Sequence, residues 1–169
     1  TLMTFNSAKE SWVGVLATGF SWDESGTVLR LVLRKQVKWS DGSLFSADDV
    51  LFTFELMRTH PGLDTGGVWK HLESVSMTDA GLEFQFKAVH APLFDGIVQT
   101  PIVPKHIWTK VEDPVRYADE SPVGTGPFTQ VLRFDPMIYE LGANPHYWEP
   151  GIPKVKRLRF PAYSSNDQA

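Results

Sequence analysis

The chain has 169 residues, 42% of them hydrophobic and 21% charged, enough apolar material for a buried core and too much for a disordered tail. A balance of 16 Lys and Arg against 20 Asp and Glu gives a net charge of −4, which excludes the basic footprint of a nucleic-acid binder. With no cysteine there can be no disulfide, zinc knuckle or thiol nucleophile, and apolar stretches this short predict no transmembrane helix.

Residues 1–26 show no clear period and close on the turn Asp23-Glu24-Ser25-Gly26. A strand follows, with Leu29, Leu31 and Leu33 set to face a core and Arg30 and Arg34 on a wetter face. Val37-Lys38-Trp39 reads as a short extension, ended by the turn Ser40-Asp41-Gly42-Ser43. The clearest helix start comes next. Ser46 stands at the N-cap with Asp49 three residues on, and Asp48 and Asp49 complement the helix dipole. Val50, Phe54 and Met57 form the buried stripe, and His60-Pro61-Gly62 stops the helix.

Residues 73–87 read as a hairpin around Asp79-Ala80-Gly81, with Leu82, Phe84 and Phe86 alternating against polar residues. Short helices are predicted near Pro92 and at Pro104-Lys105-His106-Ile107-Trp108. The proline-broken stretch 101–126 reads as a connector. A second β unit follows: strands 128–133 and 137–141 flank Phe134-Asp135-Pro136, and a last strand covers Lys156 to Phe160.

Catalytic patterns are scarce. His60, His71, His90, His106 and His146 pair at neither HxxH nor HExxH spacing, so no metal ligands are assigned and no cofactor is expected. Gly124-Thr125-Gly126-Pro127-Phe128 lacks the GK[ST] ending of a phosphate loop, and Pro127 removes an amide donor. It reads as a tight turn with glycines at positive φ. No GxSxG elbow is present. The positive chemical feature is aromatic richness: 6 Trp, 4 Tyr and 11 Phe make up 12% of the chain. Most of these rings should be packing. Trp69 is the candidate stacking residue, because it follows the loop Asp64-Thr65-Gly66-Gly67 and loops carry function more often than core elements.

The order of motifs then carries a resemblance. Leu33 through Val50, with Trp39-Ser40-Asp41-Gly42 and Ser46-Ala47-Asp48-Asp49 inside it, resembles the signature segment of family 5 extracellular solute-binding proteins, the peptide- and nickel-binding receptors of bacterial ABC importers. Ile102-Val103-Pro104-Lys105, Gly124-Thr125-Gly126-Pro127-Phe128, Asn144-Pro145-His146-Tyr147-Trp148 and Val155 to Phe160 follow in family order. The resemblance covers about residues 15–169, and its motifs are specific in combination.

The resemblance implies a mixed α/β (α+β), periplasmic-binding-protein-like fold. It divides the chain into a small β-rich insert subdomain over residues 1–100 and part of the first lobe over 101–169. Family members are several times longer, and the chain opens at Thr1 without an initiator Met. A fragment is therefore expected, one that exposes apolar surface and tends to self-associate. The implied activity is not enzymatic. A two-lobed clamp closes on solute and then docks on a membrane permease, at the periplasmic or extracellular face of the cytoplasmic membrane, with or without a lipid anchor.

The ligand-binding residues implied are Trp69, Tyr163, Ser165 and Asn166; Trp69 would stack, and the polar three would bond solute or hold the hinge. The segment Phe160 to Ala169 also resembles a branch that binds β-linked oligosaccharides such as cellobiose. Oligopeptide is the first reading of the solute and oligosaccharide the second. From other classes, a glycoside-acting enzyme domain and a plain interaction module stay open.

Overall fold

The computed structural model describes residues 1–162 and divides into two compact units. The first comprises Thr1–Lys35 and Ser46–Tyr117; the second comprises Gln36–Phe45 and the chain from Ala118 onward. Residues 101–117 thus pack with the first unit and 36–45 with the second, so neither unit is one continuous stretch of chain.

In the first unit, β1 (Met3–Asn6) and β2 (Ser11–Gly14) form an antiparallel ribbon. A four-stranded antiparallel sheet has the order β3-β4-β6-β5, from β3 (Ala17–Trp22), β4 (Val28–Leu33), β5 (Leu72–Thr78) and β6 (Gly81–Phe86). Residues 1–26, without a readable period, therefore supply three strands. Met3 and Ala17 are buried there while Phe5 and Phe20 are near half exposure, so no clean alternation marks these strands.

The alternation is clean in the centre of the sheet. Leu29 lies opposite Phe84, and Leu31 opposite Leu82; all four are fully buried, as is Phe86 to within 1%. Leu33, placed with them by its period, is only half-buried at the strand end. The other face is more exposed, and there Arg30 pairs with Glu83 at 2.6 Å between Val28 and Val32 of the same strand. The hairpin turn needs Gly81, which sits at φ 122°, where a Cβ would come within 2.8 Å of the Leu31 carbonyl oxygen.

Helix α1 (Ala47–Thr59) forms where its cap places it. Ser46 and Asp49 make a reciprocal capping box, in which the Asp49 Oδ2 accepts from the Ser46 amide at 2.9 Å. Val50, Phe54 and Met57 face inward, and the Phe54 ring meets Phe84 edge-on at 4.9 Å. The short helices α2 (Leu93–Val98) and α3 (Lys105–Trp108) complete the cover. Asp49 does more than cap. Its Oδ1 accepts from the Lys105 amide at 2.9 Å, and Thr53 Oγ1 accepts from the Val103 amide at 3.1 Å. These two bonds bind the connector to α1, which is why 101–117 belong to this unit.

In the second unit, β7 (Phe128–Asp135), β8 (Ile138–Ala143) and β9 (Arg157–Pro161) form an antiparallel sheet in that order. β7 runs through Phe134 and Asp135, and the turn falls at Pro136-Met137, so Met137, expected to open the next strand, is a turn residue. Asp135 tightens it by accepting from the Met137 and Ile138 amides, each at 2.9 Å. Those bonds, Met137 first, together with the Arg133 side chain hold the Asp135 carboxyl below its ordinary range.

The segments that carried the resemblance converge in this unit. The Ser40 amide donates to the Gly124 carbonyl at 2.9 Å, and Asn144 Nδ2 donates to the Gly126 carbonyl at 2.9 Å. Trp39 is buried beside Phe45. Val37-Lys38-Trp39 extends no strand: Lys38 makes a single bridge to Leu44. The positive φ expected at Gly124 and Gly126 is also absent. Gly124 is instead held by close approach, since a Cβ there would lie 3.1 Å from the Thr129 methyl.

Candidate functional site

The first unit holds a cleft of about 370 Å³. Its floor is buried side chains: Thr53 and Met57 from α1, Val68 from a 3-10 turn at Val68–Lys70, and Thr100 after α2. Leu56, Leu63, Val103 and Trp108 form half-buried walls, and Thr65, Gly66, Gln99 and Pro101 are exposed at the rim.

Local sequence explains each wall. Pro61 stops α1 and starts a 3-10 turn over Pro61–Leu63. Asp64 then folds the next turn around itself. Its Oδ1 accepts from the Val68 amide at 2.8 Å and its Oδ2 from the Trp69 amide at 3.0 Å, while Gly67 takes the left-handed conformation at φ 65°. The opposite wall forms because α2 ends at Val98 with Gln99 as its C-cap, ahead of Pro101, and Thr100 Oγ1 donates back to the Gly96 carbonyl at 2.6 Å. The Trp108 ring is held edge-on by Tyr117 at 5.4 Å.

No charged side chain lines this cleft. The nearby charges are occupied elsewhere. Arg58 forms two bonds to Glu55, at 2.8 and 2.7 Å, and this pairing lowers the Glu55 carboxyl below its ordinary range. Lys87 Nζ donates to the carbonyls of Trp69 and Lys70.

Trp69 adjoins the cleft without lining it. Its indole Nε1 donates to the Phe54 carbonyl at 2.8 Å, and the Arg58 guanidinium lies over its ring at 5.8 Å. The ring is half-buried, its single donor spent on α1. Tyr163, Ser165 and Asn166 lie outside the described residues. The structure brings Thr65, Gln99, Thr100 and Trp108 together, none of which sequence reasoning selected. Only the Gly66-Gly67 pair and the helix break before Pro101 marked these segments, and nothing in their spacing joined them.

Among the described residues no group of three or more His, Cys, Asp or Glu stands where it would hold a metal ion, and no helix is long and apolar enough to cross a membrane. The first unit combines α and β elements and holds a cleft walled by neutral side chains. The chain belongs to the bacterial extracellular solute-binding proteins, family 5, whose profile matches residues 11–169.

It is 35% identical over 154 residues to the peptidoglycan-binding protein YepA of Agrobacterium fabrum, covering 85% of this chain and 24% of that one. A solved periplasmic oligopeptide-binding protein of Thermotoga maritima superposes with a TM-score of 0.88 at 32% identity, over 99% of this chain and 32% of that one. The same protein is also solved with mannohexaose bound. The oligopeptide-binding protein AppA of Bacillus subtilis, solved with a nonapeptide, superposes with a TM-score of 0.81 at 25% identity, over 96% of this chain and 33% of that one. The chain thus spans about a quarter to a third of the length of the relatives it matches. These relatives are binding proteins rather than enzymes.

Proposed function

We propose that this chain is part of the substrate-binding component of an ABC importer, which captures oligopeptides in an interlobe cleft and delivers them to membrane permease subunits. The observation that carries the reading is the likeness over 99% of the chain to a solved periplasmic oligopeptide-binding protein. The division into a β-rich insert and a partial first lobe belongs to the same reading, as does a site outside the cytoplasmic membrane. So do contacts to solute from Trp69, Tyr163, Ser165 and Asn166.

A second reading, β-linked oligosaccharide of the cellobiose type, is favoured by the mannohexaose in a relative 32% identical to this chain. Thermal unfolding of the full-length receptor against short peptides and β-linked oligosaccharides separates the two. A ligand that binds only the native state stabilises it by about 2.7 kcal/mol at a hundredfold excess over Kd. The midpoint should rise with peptides. A rise with oligosaccharides alone would transfer the receptor to the sugar branch, and no rise with either would sink both.

A further inference from the structure

We infer that His71 and His90 form a pH-sensitive clip inside the first unit, closed while at least one ring is neutral and opened when both carry charge. His71 closes the 3-10 turn over Val68–Lys70, its amide donating to the Val68 carbonyl at 3.1 Å. His90 lies in the connector between β6 and α2, its carbonyl accepting from the Leu93 amide at 3.1 Å as α2 begins. The two half-buried rings stack with centroids 3.9 Å apart and planes 11° from parallel. The turn supplies Val68 to one wall of the cleft, and α2 leads into Gln99 and Thr100 of the other, so the stack ties the two walls together. The rest of the connector holds little. Ala88 and Val89 are exposed, and among the described residues the backbone bonds of His90 and Ala91 run forward to Leu93 and Phe94 rather than back to the turn.

Histidine changes charge between about pH 5 and 8. A neutral ring packs well against its neighbour, charged or not, whereas two imidazolium rings at this separation repel. The surroundings add to the repulsion. Lys70 lies on the turn, and Lys87 Nζ reaches the Trp69 and Lys70 carbonyls at 3.3 and 3.1 Å. Arg58, over the Trp69 ring, is paired with Glu55. The carboxylates on the neighbouring elements bring no relief. Asp64 accepts from the Val68 and Trp69 amides, and Asp23 from those of Thr27 and Val28. Glu24, Glu73 and Asp95 form no ion pair with either ring among the described residues. A closed clip takes up one proton where the unfolded chain takes up two. Its contribution to stability is therefore full above histidine's ordinary range, near about pH 6.5, and is lost as the pH falls below it.

Hydrogen exchange of the full-length receptor, corrected for the intrinsic rate at about pH 7.5 and about pH 5, tests the clip on either side of that range. Protection of the segment 87–93, where the Lys87 amide bonds the His71 carbonyl at 2.9 Å, should fall at least about tenfold in acid while the centre of β6 keeps its own. His71→Phe and His90→Phe each keep a ring to stack and remove the second charge, so each should abolish the fall. No fall in the wild-type receptor, an equal fall in β6, or a fall that survives in either variant would overturn the clip. If one variant fails to fold, the other and the wild-type profile decide. The readout needs no bound solute, so the clip stands or falls apart from the peptide reading.

Discussion

The four-stranded sheet of the first unit and the three-stranded sheet of the second each gather aromatic residues on one face, and the two faces end in opposite conditions. In the first unit, Leu29, Leu31, Leu82 and Phe84 share one face of β4 and β6 and are wholly buried, because α1 lays Phe54 over them. In the second unit, Phe134, Tyr139 and Phe160 share one face of β7, β8 and β9, with Tyr139 ring contacts at 5.4 and 6.1 Å. Yet Phe134 is 81% exposed and Phe160 52%. Among its described residues this unit has no helix to act as a second layer. Alternation says which residues share a face; burial requires a partner for that face.

The difference can be broken or sharpened by substitution. The largest effect should come from Phe84→Ala, which empties the centre of the covered sheet. A loss of about 3–5 kcal/mol in urea unfolding is expected, and a loss below 1 kcal/mol would mean that this face is not the core. Ser46→Ala removes the N-cap of the helix that supplies the cover, and should cost about 1 kcal/mol. A cost near zero would show that tertiary packing holds α1 without its cap. Phe134→Ser on the open sheet should change stability by no more than about 0.5 kcal/mol, as exposed positions do. A cost above 2 kcal/mol, or a change in the sedimentation of the chain, would show that the face is covered in solution by a second copy.

Local chemistry made much of the fold legible. Ser46 and Asp49 mark the start of α1 because a capping box is a contact between residues three apart. Leu82, Phe84 and Phe86 mark β6 because the strand period is two. The ordered motifs around Trp39, Gly124 and Asn144 pointed to the family, and in the structure these segments bond to one another. Trp69 was a local reading too; Thr65 and Gly66 of the loop before it line the cleft, and Trp69 itself does not.

Tertiary structure decided the rest. The ribbon β1-β2 escaped because it buries Met3 but leaves Phe5 and Val13 well exposed, which blurs the alternation. The second oxygen of Asp49 reaches the Lys105 amide 56 residues away, and no spacing rule announces such a bond. By the same kind of long reach Thr65, Gln99, Thr100 and Trp108 become walls of one cleft. Composition, caps and alternation depend on neighbours a few residues apart, so the sequence alone determined the capped helix, the regularly alternating strands and the family. Which faces are covered, and which distant side chains meet, depends on layers packing against one another, so only the fold brought the walls of the cleft together.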